Sequence, residues 1–180
     1  ELSPKYADWD KSPAGFLLTK KEAKEWAEIH SDAEAKRFIE LFWARRDPNL
    51  DTPYNEFKSA FDARVRQADE NFGHDRERGA LTDRGQVLIL LGPPHLKEHR
   101  APTETVELMD DTSAGTDEVR ANVWMWMYDP QHLPEDLKVK GNRLLFVFYE
   151  DKAETNNFVF DRSHREATMA LRALGRAPEV

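Results

Sequence analysis

The residues that could do chemistry are Arg45, Arg46, Asp47, Asn55, Glu56, Arg64, Thr82, Asp83 and Arg84. Arginines in a shared cleft would offer forked donors to a carboxylate or phosphate, with Asp83 or Glu56 as a base. That reading makes a small-ligand or enzyme site around the turn Thr82-Asp83-Arg84-Gly85. The competing reading is structural: Asp83 pairs with Arg64 or with an arginine of Arg45-Arg46, and Asn55 satisfies loop amides. Charged groups at helix ends and turns usually serve in this way, so the structural reading is preferred.

A second chemical pattern is His95-Leu96-Lys97-Glu98-His99, the inverted zinc-protease spacing. Zinc chemistry there needs both histidines on one helical face with the glutamate beside the metal-bound water. Pro93, Pro94 and Pro102 leave room for about two turns of helix at most, so the pattern is read as a polar loop. A zinc hydrolase through His95, Glu98 and His99 therefore ranks last, and no metal or cofactor is expected. There is no phosphate-cradling Gly-Lys-Ser/Thr and no Gly-x-Ser-x-Gly elbow. The absence of cysteine excludes thiol nucleophiles and Cys-based zinc sites.

The elements that must position these side chains follow from capping signals and periodicity. Residues 1–18 read as an irregular arm whose aromatics, Tyr6, Trp9 and Phe16, dock on the body. Thr19 with Glu22 and Ser31 with Glu34 spell capping boxes that start two helices. The second carries Phe38, Phe42 and Trp43 and ends before Pro48. Thr52 as N-cap and Pro53 at the first position predict a third helix, with Phe57, Phe61, Val65 and Phe72 on one face and a left-handed stop at Gly73. Val87 to Leu91 reads as a central strand buried on both faces.

Further strands are expected at 105–108, 122–128, 144–149 and 157–160, with a flexible loop at 110–115 and a turn at Gly141-Asn142. Trp124, Trp126 and Tyr128 share a strand face, which is read as core rather than as an exposed stacking platform. Ser163 to Glu166 cap a last helix that ends at Gly175. The domain plan is an arm, 1–18, and one unit, 19–180, with helices over 19–73, mainly strands over 84–162 and a C-terminal helix over 163–175. Helices first and strands later, joined by short loops, give an α+β fold: an antiparallel sheet of about four strands with the N-terminal helices on one face.

The 180 residues carry a net charge of −8, with 39% hydrophobic and 33% charged residues. An acidic chain whose longest basic run is Arg45-Arg46 is not expected to bind nucleic acid. No segment is apolar enough to span a bilayer, and no signal peptide is legible.

Phe42-Trp43-Ala44-Arg45-Arg46-Asp47-Pro48, Thr52-Pro53-Tyr54-Asn55-Glu56, Arg64 with Ala68 and Asn71-Phe72, and Thr82-Asp83-Arg84-Gly85 with Gly92-Pro93-Pro94 occur in that order. Together they resemble the GWxTD domain family of bacterial proteins. One position departs from it, because Ala80 stands where the signature tryptophan is expected. The resemblance implies a fold but no biochemical activity. It also implies export, to the periplasm or beyond. The function expected is a non-catalytic interaction or structural module that binds a protein partner through its sheet edge, a helical face or the acidic loop.

Overall fold

The computed structural model describes residues 1–101, 122–133 and 143–174. Helices α1 (Pro4–Ala7), α2 (Lys20–Ala27), α3 (Asp32–Ala44), α4 (Glu56–Phe72) and α5 (Asp83–Leu91) precede a sheet, and α6 (Arg165–Leu174) follows it. The strands are β1 (Leu96–Arg100), β2 (Val123–Tyr128), β3 (Leu144–Glu150) and β4 (Phe158–Phe160), antiparallel in the order β1-β2-β3-β4. The α+β class and the four-stranded antiparallel sheet are as expected. The positions 105–108, 110–115 and Gly141-Asn142 lie outside the described residues.

The capping boxes at Thr19/Glu22 and Ser31/Glu34 form as read, each with both reciprocal bonds. The arm is more ordered than expected, being α1 followed by 3-10 turns at Trp9–Lys11 and Pro13–Leu17. Trp9 is its anchor, with ring centroids 4.8 Å from Trp26 and 5.0 Å from Phe42. Phe42 is fully buried there and packs edge-on against Trp43 at 5.0 Å.

Four expectations are corrected. Residues 87–91 are helical, within α5. Thr82 caps this helix, its Oγ1 accepting from Gly85 N at 3.1 Å, and Gly92 at φ 77° stops it. Val87, Leu88 and Ile89 are at most 3% exposed, because α4, α6, β4 and the Pro13–Leu17 turn surround the helix. A helix whose middle turn is enclosed shows a short unbroken apolar run, which periodicity cannot tell from a buried strand.

The N-cap of α4 is Asn55, three residues after Thr52. Its Oδ1 accepts from Lys58 N at 2.9 Å, and its Nδ2 donates to Trp43 O at 2.7 Å, tying the helix to the end of α3. Gly73 is extended (φ −63°, ψ 148°), so the left-handed stop belongs to Gly92 instead. Finally, His95 to His99 is no loop: Leu96–Arg100 pairs with β2 along its whole length, from Leu96 opposite Met127 to Arg100 opposite Val123.

The inner face of the sheet meets α4 and α5. Trp126 lies 5.5 Å from Phe72, ring to ring, and the Tyr128 hydroxyl donates to Gly92 O at 2.7 Å. Trp126 and Tyr128 are buried as expected of a core face, whereas Trp124 is half-buried under His99, stacked at 4.6 Å.

Candidate functional site

The nine polar residues do not meet around one cavity. They occupy separate seams between elements. At the first seam, Arg46 leaves the end of α3 and turns inward. Its guanidinium grips Glu22 of α2 in a fork, Nη1 to Oε1 at 3.0 Å and Nη2 to Oε2 at 2.8 Å. It also donates to Phe42 O at 2.8 Å and Leu17 O at 2.9 Å, and it stacks 3.7 Å from the Phe42 ring.

Arg46 is 8% exposed and Glu22 is 4%. A buried pair this well bonded joins α2, α3 and the arm. Burial alone would raise the Glu22 carboxyl. The Arg46 hydrogen bonds, the Thr19 amide and the Arg46 charge outweigh it and hold the group below the usual carboxylate range. Arg45 points outward, 3.7 Å from Glu22 Oε1, and Asp47 accepts from Asn49 N at 3.1 Å. Thr52 Oγ1 donates to Glu56 Oε1 at 2.7 Å.

The second seam is the C-terminus of α5. Arg64 of α4 donates from Nη1 to Ile89 O at 3.1 Å, placing a cation at the negative end of the helix dipole. Burial lowers its pKa.

The third seam holds the turn Thr82-Asp83-Arg84-Gly85. Thr82 Oγ1 donates to Gly79 O at 2.7 Å while it caps α5. Asp83 Oδ2 accepts from Phe160 N of β4 at 2.7 Å. The expected Asp83–arginine pair is therefore corrected. A carboxylate at the N-terminus of α5 already meets positive amide dipoles and an edge-strand N–H, and it finds its partner there.

Arg84 lies between two rings, its Cζ 4.6 Å from Phe72 and 4.2 Å from Phe158. It reaches Asn156 O at 3.3 Å and is 6% exposed. Burial lowers its pKa to about 10, against the opposing pull of Glu150. Asn156, at φ 68°, is itself clamped by Nδ2 to Gly73 O at 3.1 Å and by its N–H to Glu150 Oε1 at 2.8 Å. His74 Nδ1 lies 2.8 Å from Glu154 Oε1 in the same hairpin.

Two residues that the functional reading passed over complete this seam. Asp69 accepts from Ala80 N at 2.8 Å and pairs with Arg78. Gly79 lets the turn approach α4, because a Cβ there would stand 1.9 Å from Ala68 O. Ala80, where the signature tryptophan is expected, is fully buried.

Two open concavities adjoin the third seam. One of about 630 Å³ is lined by Asp69, His74, Asp75, Arg76, Glu77 and Arg78. A neighbour of about 500 Å³ lies between His74-Asp75-Arg76 and Ala153 to Asn156. Neither is lined by Arg46, Asn55, Arg64 or Asp83.

The inverted zinc spacing lies mostly on a strand, whose pleat puts Glu98 on the face opposite His99. His95 Nδ1 accepts from Asp129 N at 3.1 Å. Among the described residues no three His, Cys, Asp or Glu side chains converge as metal ligands do.

A family model, the GWxTD domain, matches residues 4–115. No curated protein and no solved structure matches the chain. The matched span takes in the arm from Pro4 onward, every helix up to α5, and β1.

Proposed function

We propose, from the premise that the chain belongs to the GWxTD domain family, that it is a non-catalytic, exported module that binds a protein partner. The observation that carries this reading is the burial of three of the nine polar residues in two separate seams. Arg46, Thr82 and Arg84 are each at most 8% exposed, and their donors go to backbone carbonyls, Glu22 and Asn156. Groups bonded in this way hold elements together and have little left to offer a substrate.

The alternative is an enzyme or small-ligand site on the Arg-Asp-Asn cluster around Thr82 to Gly85. It requires those side chains to face one cavity, and their separation over three seams weighs against it. Among the described residues no helix is long and apolar enough to cross a membrane.

The test is cross-linking capture from the periplasmic fraction of the native organism, followed by reconstitution from purified chains. A partner that binds the wild type and the Asp83→Asn variant equally is expected. Turnover of a small molecule by the purified chain, abolished in Asp83→Asn with folding intact, would replace this reading with an enzyme.

A further inference from the structure

We infer that the two turns at the third seam, 73–78 and 153–156, form one docking surface for a basic segment of a partner protein. The inference rests on the protein-binding reading above and names the surface and the partner's chemistry. The turns lie some eighty residues apart in the chain, yet they are fastened to each other. His74 Nδ1 lies 2.8 Å from Glu154 Oε1, and Asn156 Nδ2 donates to Gly73 O at 3.1 Å.

Each turn is also closed on itself. His74 and Glu77 exchange both backbone hydrogen bonds, at 3.1 and 3.3 Å, and Asp151 N donates to Asn157 O at 2.7 Å. Arg78 forks onto Asp69 of α4, which pins the first turn to the helix behind it.

This bracing is not there to build core. Asp75, Arg76, Glu77, Thr155 and Asn156 are all exposed. What the bonds fix is a surface shape. Concavities of about 630 and 500 Å³ stand on the two sides of Asp75-Arg76, which lines both. A surface already held in one form has little ordering left to lose when a partner binds.

Charge selects the occupant. Arg78 is paired with Asp69 and His74 with Glu154, while Arg76, 80% exposed, lies 3.9 Å from Glu154. Asp75 and Glu77 have no ion-pair partner among the described residues. A guanidinium or ammonium group entering the larger concavity therefore meets two open carboxylates. The chain's net charge of −8 draws such a segment in from a distance. An acidic segment, or a second copy of this chain, would meet like charge.

The test uses a capped seven-residue peptide, Ser-Gly-Arg-Gly-Arg-Gly-Ser, and its counterpart with glutamates in place of the arginines. Binding is read from amide chemical shifts of the full chain at low salt. The basic peptide is expected to shift amides within 73–78 and 153–156, and the acidic one to shift none. Asp75→Asn with Glu77→Gln should weaken the basic peptide about fivefold and leave the melting temperature unchanged. Glu28→Gln with Asp51→Asn removes the same charge from α2's end and the α3–α4 loop, and should leave binding near the wild-type value.

The inference is overturned if the two double variants weaken binding equally, which would mean unspecific attraction to an acidic chain. Shifts centred outside the two turns, or equal binding of both peptides, overturn it as well. A reconstituted partner indifferent to Asp75→Asn with Glu77→Gln removes this surface and leaves the protein-binding role standing. Failure of that role itself is read separately, as turnover lost in Asp83→Asn.

Discussion

Removing the Glu22 carboxylate would leave the Arg46 guanidinium buried with two backbone carbonyls and no counter-charge. Glu22→Ala is therefore expected to cost about 3 kcal/mol, read from the urea midpoint. The same pair sets a pH dependence. The folded carboxyl titrates below its unfolded value, so the stability it contributes is present above about pH 4.5. It is lost as pH falls through the depressed folded value. Thermal melts of wild type and Glu22→Gln between pH 6 and pH 3 should converge at the acid end.

Asp83 separates two accounts of the signature turn. Its partner is the Phe160 amide, so Asp83→Ala should cost about 2 kcal/mol, while Asp83→Asn, which keeps an acceptor, should cost under about 1 kcal/mol. Were Asp83 paired with a buried arginine, the asparagine variant would suffer nearly as much as alanine. Chemical denaturation of the two variants decides between these accounts.

At the scale of elements, the turn Gly79–Leu81 is the joint on which α4 and α5 meet. Gly85 shares the constraint of Gly79, because a Cβ there would stand 2.0 Å from Gly79 O. Gly79→Ala is expected to destabilise by about 3 kcal/mol through forced separation of the turn from α4, measured by urea unfolding. The capped helices, α2 and α3, were legible from Thr19/Glu22 and Ser31/Glu34 because a capping box is a local bond. The alternation of β2 was legible because the face with Trp126 and Tyr128 is core.

The run Val87 to Leu91 was misread because five apolar residues in succession carry no polar face to reveal a helical period. β1 was missed for the opposite reason: Leu96 to Arg100 has no buried face, so no apolar alternation marks it. The Glu22–Arg46 bond was illegible because its partners are twenty-four residues apart and each has a plausible local role. Asp83 meets Phe160, and Arg84 meets Asn156, across more than seventy residues, which spacing along the chain does not encode.

For the molecule as a whole, buried residues from Ala14 to Ala170 form one continuous hydrophobic cluster. The arm, the helices and the sheet should therefore unfold together. Near-ultraviolet circular dichroism, which reports Trp9, Trp26 and Trp126, and far-ultraviolet circular dichroism are expected to give one coincident thermal transition. Two separated transitions would mean that the Arg46 seam and the Arg84 seam belong to independently melting halves.

The enclosure of Arg84 between Phe72 and Phe158 has a consequence for genetics. A saturation screen scored only by phenotype is expected to mark Thr82 through Gly85 as intolerant. On the structural role proposed above, the lesions lower the amount of intact protein in the cell, and growth at reduced temperature should rescue many of them.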